Sequence, residues 1–564
     1  MLLLGYNQKH HPKAPYSPYL HNSHSFALHR GNPDMKRFFN IAGPIKPQRH
    51  YHIEPLSRLD WEEVQMLIGQ EEYFVLHAPR QTGKTSALLS MMHALNQAGE
   101  YTALYANIEA AQAARNDVNE GIAGLCESIA RRACIHLNSD ILTQWLEQKG
   151  RAISPRDRLT QLLSYWAQES PKPCVLFLDE VDALVGDTLV SLLRQIRAGY
   201  DQRPEAFPQS IVLCGIRDVQ DYRIHSGGEI ITGGSAYNIK AVSLRMGNFS
   251  RDQVNDLYQQ HIDETGQQLN SAIFEELWQD TQGQPWLVNA LAREMLFTAK
   301  ENRDRSKMIE LEDYKAARER LIYARTTHLD QLSDKLKEPR VHRVIAPMLA
   351  TQTTISGQSS LDDLQYVEDL GLIRLKPELQ ISNRIYQEVL PRELTYPTQV
   401  SIIHQQAWYL DDANRLDMVK LLAAFQQFFR ENAEIWLERF DYKEAGPQLL
   451  MQAFLQRVVN GGGRINREYA LGRKRTDLVI EWPTSDKGFY GDVQRIVIEL
   501  KILYGALDTC INEALEQTTD YADKVGASEA HLVIFNRDEN ISWEEKIWQR
   551  EGQFGQWEVA IWGC

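Results

Sequence analysis

One short stretch constrains this chain more than any other: an apolar strand that runs into Ala78-Pro79-Arg80-Gln81-Thr82-Gly83-Lys84-Thr85 and leaves it as a helix. Tyr73-Phe74-Val75-Leu76-His77 reads as a short buried strand, and Ser86-Ala87-Leu88-Leu89-Ser90-Met91-Met92 has a helical pattern. The eight residues between follow G-x-x-x-x-G-K-[ST], with Ala78 in place of the first glycine. Such a loop turns its backbone N–H groups and the N-terminus of its helix toward phosphate. Lys84 is expected to reach β- and γ-phosphates, Thr85 to ligate Mg²⁺, and Gly83 to let the backbone approach closely. Ser86 closes the candidate ATP-binding stretch.

The segments that follow keep the pattern. Tyr101 to Ile108, Cys174 to Leu178 and Ser210 to Cys214 read as strands separated by helical stretches, which predicts a parallel sheet with helices on both faces. Val175-Leu176-Phe177-Leu178-Asp179-Glu180 is an apolar strand ending in two acids. Beside a phosphate loop, Asp179 is expected to hold Mg²⁺ and Glu180 to polarise the attacking water, with Asp182 a weaker candidate in the same turn. The last strand ends at Gly215-Ile216-Arg217-Asp218. Arg217 or Asp218 is a candidate for sensing the γ-phosphate there, with a structural salt bridge as the equal alternative.

Further along, residues 252–258, 272–278 and 286–297 are helical in pattern. Leu361 to Leu370 reads as a helix, followed by strands at 371–375 and 379–382. Together with Phe74 to Thr85, the Asp179-Glu180 strand and Gly283-Gln284-Pro285-Trp286-Leu287, this resembles the AAA-like ATPases of the STAND class over residues 38–400. The resemblance implies a helical lid in which Pro285 lies near the nucleotide base. It also implies a winged-helix domain after the lid. The helix Leu361-Asp362-Asp363-Leu364-Gln365-Tyr366-Val367-Glu368-Asp369 is acidic and would repel phosphates, so that domain reads as a spacer rather than a DNA reader.

A second constellation lies near the other end. Arg475-Thr476-Asp477-Leu478-Val479-Ile480 and Arg495-Ile496-Val497-Ile498-Glu499-Leu500-Lys501 read as strands, and a period of two puts Glu499 and Lys501 on one face. Charged groups in an otherwise buried strand are costly unless they pair or hold a metal. Two carboxylates with a bound divalent ion, and an ammonium beside them, can set water against a phosphodiester. The pattern resembles the PD-(D/E)XK nuclease superfamily over residues 440–540, with Thr476 standing where its proline is usual. The resemblance implies Asp477 and Glu499 as Mg²⁺ or Mn²⁺ ligands and Lys501 as a catalytic partner. It also implies supporting roles for Glu444, Gln517 and Tyr521. Arg464, Arg467, Arg473, Lys474 and Arg475 cluster ahead of Asp477, either to steer phosphates or as a solvated hairpin rim. The bland alternative for the strand is a surface Glu–Lys pair with Asp477 capping a turn.

Bulk properties limit the rest. A hydrophobic fraction of 43% supports ordinary cores, and a net charge of −14 argues against a coat for non-specific nucleic-acid binding. Six scattered cysteines without a C-x-x-C pair suggest neither zinc nor a disulfide framework, and no apolar run is long enough for a membrane helix, so the cytoplasm is expected. The reading is therefore α/β throughout. A P-loop NTPase parallel sheet with helical lid and winged-helix domain precedes a C-terminal α/β restriction-endonuclease-like domain. Boundaries are expected at 1–37 for a loose extension, 38–248 for the ATPase core, 249–325 for the lid, 326–400 for the winged helix and 401–564 for the nuclease-like domain. The expected function is an ATP-dependent switch governing a metal-dependent nuclease. Nucleic acid would be the partner, DNA before RNA, with a homo-oligomer in at least one nucleotide state. By resemblance this suits anti-phage defence or mobile-element biology. A non-enzymatic signalling protein is the alternative, and a DNA motor with an appended nuclease ranks last because no helicase motif set is visible.

Overall fold

The computed structural model describes residues 37–216, 224–226, 229–231, 242–323, 335–336, 338–350, 360–390, 409–439, 450–452, 454–456, 463–471, 474–485, 489, 491–538 and 540–564. Arg217, Asp218, Glu444 and Arg473, and the exit segment 391–397, lie outside the described residues.

The chain first makes a two-residue parallel pair, β1 (Phe38–Phe39) with β2 (His50–Tyr51). A five-stranded parallel sheet follows: β3 (Phe74–His77), β4 (Thr102–Asn107), β5 (Cys174–Asp179), β6 (Ser210–Gly215) and, beyond a small hairpin β7 (Ile224–Ser226) and β8 (Glu229–Ile231), β9 (Val242–Arg245). Its order is β4-β5-β6-β3-β9. Alternation along these strands feeds two cores. Tyr73, Val75, Leu104, Leu176 and Leu178 pack with the helices Val118–His136, Arg158–Glu169 and Gly186–Ala198. Phe74, Leu76, Tyr105 and Phe177 pack with Trp61–Gly69 and Lys84–Ala98. Both faces are covered, which is why these strands read as nearly continuous apolar runs. The edge strand β9 carries no fully buried side chain and so gives no such apolar run.

Helices Arg251–Thr265, Ala272–Thr281, Pro285–Arg293 and Leu311–Tyr323 form the lid. Ser250 caps the first through a complete capping box with Gln253, worth about 1 kcal/mol. The helix Leu361–Asp369 then leads into a minimal hairpin, β10 (Ile373–Arg374) with β11 (Gln380–Ile381). This hairpin is shorter than the two strands expected at 371–375 and 379–382.

The last third is a six-stranded mixed sheet, ordered β12-β13-β14-β15-β17-β16. Its strands are β12 (Arg464–Leu471), β13 (Lys474–Pro483), β14 (Val493–Ile502), β15 (Glu529–Phe535), β16 (Trp548–Phe554) and β17 (Trp557–Gly563). β12, β13 and β14 are antiparallel; β14-β15 and β15-β17 are parallel. The helix Leu507–Val525 makes the crossover from β14 to β15 and buries Ile511, Ala514 and Leu515 against Val497, Leu532 and Ile534. The opposite face packs on the helix Met418–Arg439 through Phe425 and Phe429. One continuous apolar core joins lid, hairpin module and this sheet.

Candidate functional site

The loop after β3 sits where the strand order turns back, outside the carboxyl ends of the strands, which is where open parallel sheets form crevices. Its conformation is demanding. Gly83 has φ 98° and Gln81 φ 58°, and the helix begins immediately at Lys84. Only glycine takes the first of these cheaply, and a β-carbon on Gly83 would come 2.9 Å from the Arg58 guanidinium. The Thr82 hydroxyl donates to Pro79 O at 2.7 Å and tightens the turn. Lys84 is buried, with its ammonium donating to Ala78 O at 2.9 Å and Pro79 O at 3.1 Å. Ser86 Oγ accepts from the N–H of Ile45 at 3.0 Å.

β5 delivers Asp179 beside this loop. The carboxylate is fully buried and gathers three donors: the Thr85 hydroxyl at 2.7 Å, the Tyr105 hydroxyl at 2.9 Å and the Glu180 N–H at 3.0 Å. Glu180 follows with φ 62°, an uncommon conformation for a residue with a side chain, as the chain turns sharply out of the strand. Burial, and then the neighbouring Asp182, push the Glu180 carboxyl above its ordinary range. A carboxylate so placed is a better proton acceptor at neutral pH than a solvated glutamate.

Around these groups lies a cavity of about 350 Å³. Arg80 to Ser86, with Glu109 and Glu180, line its polar end, and Ile41, Ile53, Phe249, Leu257, Pro285 and Trp286 its apolar end. Three contributors carried no sequence signal that was read. The strap Asn40–Ile45 closes one wall and is held by the Trp286 indole donating to Ile41 O at 3.1 Å. Arg58 spans the cavity wall, donating to Thr82 O and Gly247 O and lying 4.7 Å over the Phe249 ring. Its burial lowers the guanidinium pKa to about 10. Tyr105 lies in the buried middle of β4 between Leu104 and Ala106, where local pattern alone reads it as a core side chain.

The second constellation is partly described. Glu499 on β14 is 3% exposed, and its carboxylate accepts from the Lys501 ammonium at 2.9 Å. Lys501 also donates to Gln517 Oε1 at 2.8 Å, from the crossover helix that also buries Tyr521. The β13-β14 register runs to Leu478 opposite Ile498. Asp477 precedes Leu478 on β13, and its side chain lies outside the described residues. Among the described residues no three His, Cys, Asp or Glu side chains converge as a metal cluster. No described helix is long and apolar enough to cross a membrane.

The profile of a family described as "AAA-like domain" matches residues 43–391. Among solved structures, the chain is similar to the Walker-type ATPase of Pyrococcus abyssi, at 16% identity and TM-score 0.45 over 62% of this chain and 99% of that one. It is also similar to Cdc6p from Pyrobaculum aerophilum, at 14% identity and TM-score 0.35 over 61% and 95%. A third is the RuvB Holliday junction branch migration motor of Thermotoga maritima, at 11% identity and TM-score 0.32 over 60% and 98%. No curated protein matches.

Proposed function

This chain belongs to the AAA-like domain family, and from that premise we propose that it is an ATP-hydrolysing switch whose nucleotide state governs a metal-dependent nuclease centre in the C-terminal sheet. The observation that carries the ATPase half is the convergence of Lys84, Thr85 and Glu180 on one cavity, with Asp179 bonded to Thr85 just behind it, from two strands far apart in sequence. Residues 78–86 hold the triphosphate, and Pro285 with Trp286 closes over the base. The Thr85 hydroxyl and the buried Asp179 carboxylate are the hard oxygen donors that Mg²⁺ prefers, and their mutual hydrogen bond places both beside the loop. Mg²⁺ held there would neutralise charge on the phosphates. Lys84 exchanges its loop carbonyls for phosphate oxygens. Glu180 orients water and takes its proton, with burial and then Asp182 keeping its pKa up.

For the C-terminal half, support comes from the Glu499–Lys501–Gln517 cluster on β14 and the crossover helix, with Asp477 on the neighbouring strand β13. In this reading Asp477 and Glu499 take Mg²⁺ or Mn²⁺, and Lys501, held by Gln517, acts on the water and the phosphodiester. DNA is the expected substrate. The working division is an ATPase core at 38–248, a lid at 249–325, a winged-helix-like module at 326–400 and the nuclease-like part at 401–564, arranged as in STAND proteins. A second reading has one observation in its favour. Lys501 already neutralises Glu499 at 2.9 Å, so the pair satisfies itself as a purely structural element of a partner-binding domain. Purified full-length protein incubated with Mg²⁺ or Mn²⁺ and with plasmid and single-stranded DNA, with and without ATP, separates the two. Metal-dependent nicking that Asp477→Ala abolishes is the expected result. No cleavage in any nucleotide state shifts the weight to the binding reading.

A further inference from the structure

We propose that a second cavity, between the Ala78–Thr85 loop and the β10-β11 hairpin module, binds a phosphoryl-type anion and through it ties that module to the loop. The cavity measures about 250 Å³. It meets the loop at Pro79 and Arg80, the sheet at Ile216 and Arg245, the lid at Gln284 and the hairpin at Arg374. Arg80 borders both this cavity and the nucleotide pocket. Contact between the two parts is tight, since a β-carbon on Gly371, whose φ is +79°, would lie 2.9 Å from the Pro79 ring.

Its charge is one-sided. Arg80, Arg245, Lys335 and Arg374 line it, and no Asp or Glu is among its described lining residues, in a chain whose net charge is −14. Lys335 is paired with Glu338 at 2.6 Å, and Arg245 with Glu368 at 3.6 Å. Arg80 and Arg374 have no carboxylate partner among the described residues. Two donors in the lining also lack acceptors there. Gln284 is 5% exposed and uses its Oε1 to cap the N–H of Leu287, which leaves its buried Nε2 without a partner among the described residues. Arg374 gives Nη1 to Gln282 Oε1 at 2.8 Å, but its buried Nε has no acceptor among them. A buried donor left unpaired has given up its water with nothing in return. Burial also lowers the Arg374 pKa, a cost that a neighbouring anion removes. Phosphoryl oxygens supply both the missing acceptors and the missing charge, and Met246, Leu372 and Ile373 leave room for an apolar body behind them.

Two sources share this chemistry: the terminal phosphate of the bound nucleotide reaching past Arg80, or a separate phosphate ester. The first rests on the nucleotide reading of the loop; the second does not. Calorimetric titration of ATP, ADP and inorganic pyrophosphate into the full chain distinguishes them, using wild type, Lys84→Ala and Arg374→Gln. A separate anion site gives two pyrophosphates bound to wild type, one to Arg374→Gln and one to Lys84→Ala. Use by the nucleotide's own phosphate gives about a tenfold loss of ATP affinity in Arg374→Gln with ADP affinity unchanged. The proposal is overturned if Arg374→Gln keeps the wild-type ATP-to-ADP affinity ratio and the wild-type pyrophosphate stoichiometry. ATP binding that survives Lys84→Ala overturns the reading of the loop instead, and the pyrophosphate arm still decides the cavity.

Discussion

Lys84 and Glu180 illustrate how much one side chain can be asked to do. With Lys84 buried against two loop carbonyls, removing it deletes a charge aimed at the phosphates and leaves the turn held by Thr82. Charge-assisted hydrogen bonds are worth about 1.5–3 kcal/mol, so Lys84→Ala is expected to weaken ATP by about 10- to 100-fold. Unchanged affinity in a fluorescence titration removes Lys84 from the site. Glu180→Gln keeps shape and loses the carboxylate. Turnover should fall about 10²–10⁴-fold while ATP still binds, and wild-type turnover would transfer the role to a neighbour such as Asp182. The same variant carries a pH signature. Because the folded-state pKa of Glu180 is raised, the native protein holds more protons than the unfolded chain between the two pKa values, and stability falls as pH rises through that window. Thermal melts should therefore find Glu180→Gln more stable than wild type at neutral pH, with the difference vanishing in acid below the unfolded pKa. A constant difference at all pH values contradicts this origin.

Elements are joined by charge as well as by apolar packing. Arg318, on the lid helix Leu311–Tyr323, pairs with Asp280 at 2.9 Å, with Glu319 at 3.0 Å and with Glu388 in the 384–390 helical segment of the hairpin module. The Tyr314 hydroxyl adds a bond to Asp280 at 2.8 Å, and Arg464 on β12 reaches Glu319 at 4.0 Å. Lid and hairpin module thus meet at one largely buried guanidinium, and Arg464 brings β12 to its partner Glu319. Removing it strands carboxylates in a low dielectric. Arg318→Leu is expected to cost about 3–5 kcal/mol, read as a drop in urea midpoint. A loss below about 1 kcal/mol would mean that water reaches the cluster and screens it as on a surface.

At the scale of the whole chain, the shared apolar core makes the C-terminal sheet mechanically continuous with the lid rather than tethered to it. In the proposed switch, a nucleotide-driven shift of the lid has a packed route through this core to β13 and β14. The nuclease reading makes a specific demand on those strands. Glu499→Ala should lose divalent-metal binding and cleavage together. Lys501→Ala should keep metal binding, followed by calorimetry with Mn²⁺, and lose cleavage. If Lys501→Ala abolishes metal binding as well, the ammonium is holding the site together and is not acting on the substrate.

The loop, the acidic strand and the parallel sheet were legible from residues 73–86 and 174–180 because each signal is local. Glycine at φ 98°, apolar runs covered on both faces and a strand ending in two acids leave their marks within a few consecutive residues. The Glu499-x-Lys501 pairing was legible for the same reason, as a period-two strand property. What the sequence did not yield depends on side chains meeting across long separations. Tyr105 reaches Asp179, Arg58 reaches Thr82 and Gly247, and Gly371 reaches Pro79 only once distant segments are packed. A tyrosine in a buried strand or an arginine at the end of a short helical turn has many possible environments, and local periodicity does not choose among them. Tertiary packing does, because a buried hydroxyl or guanidinium must find a partner or bear the cost of leaving water.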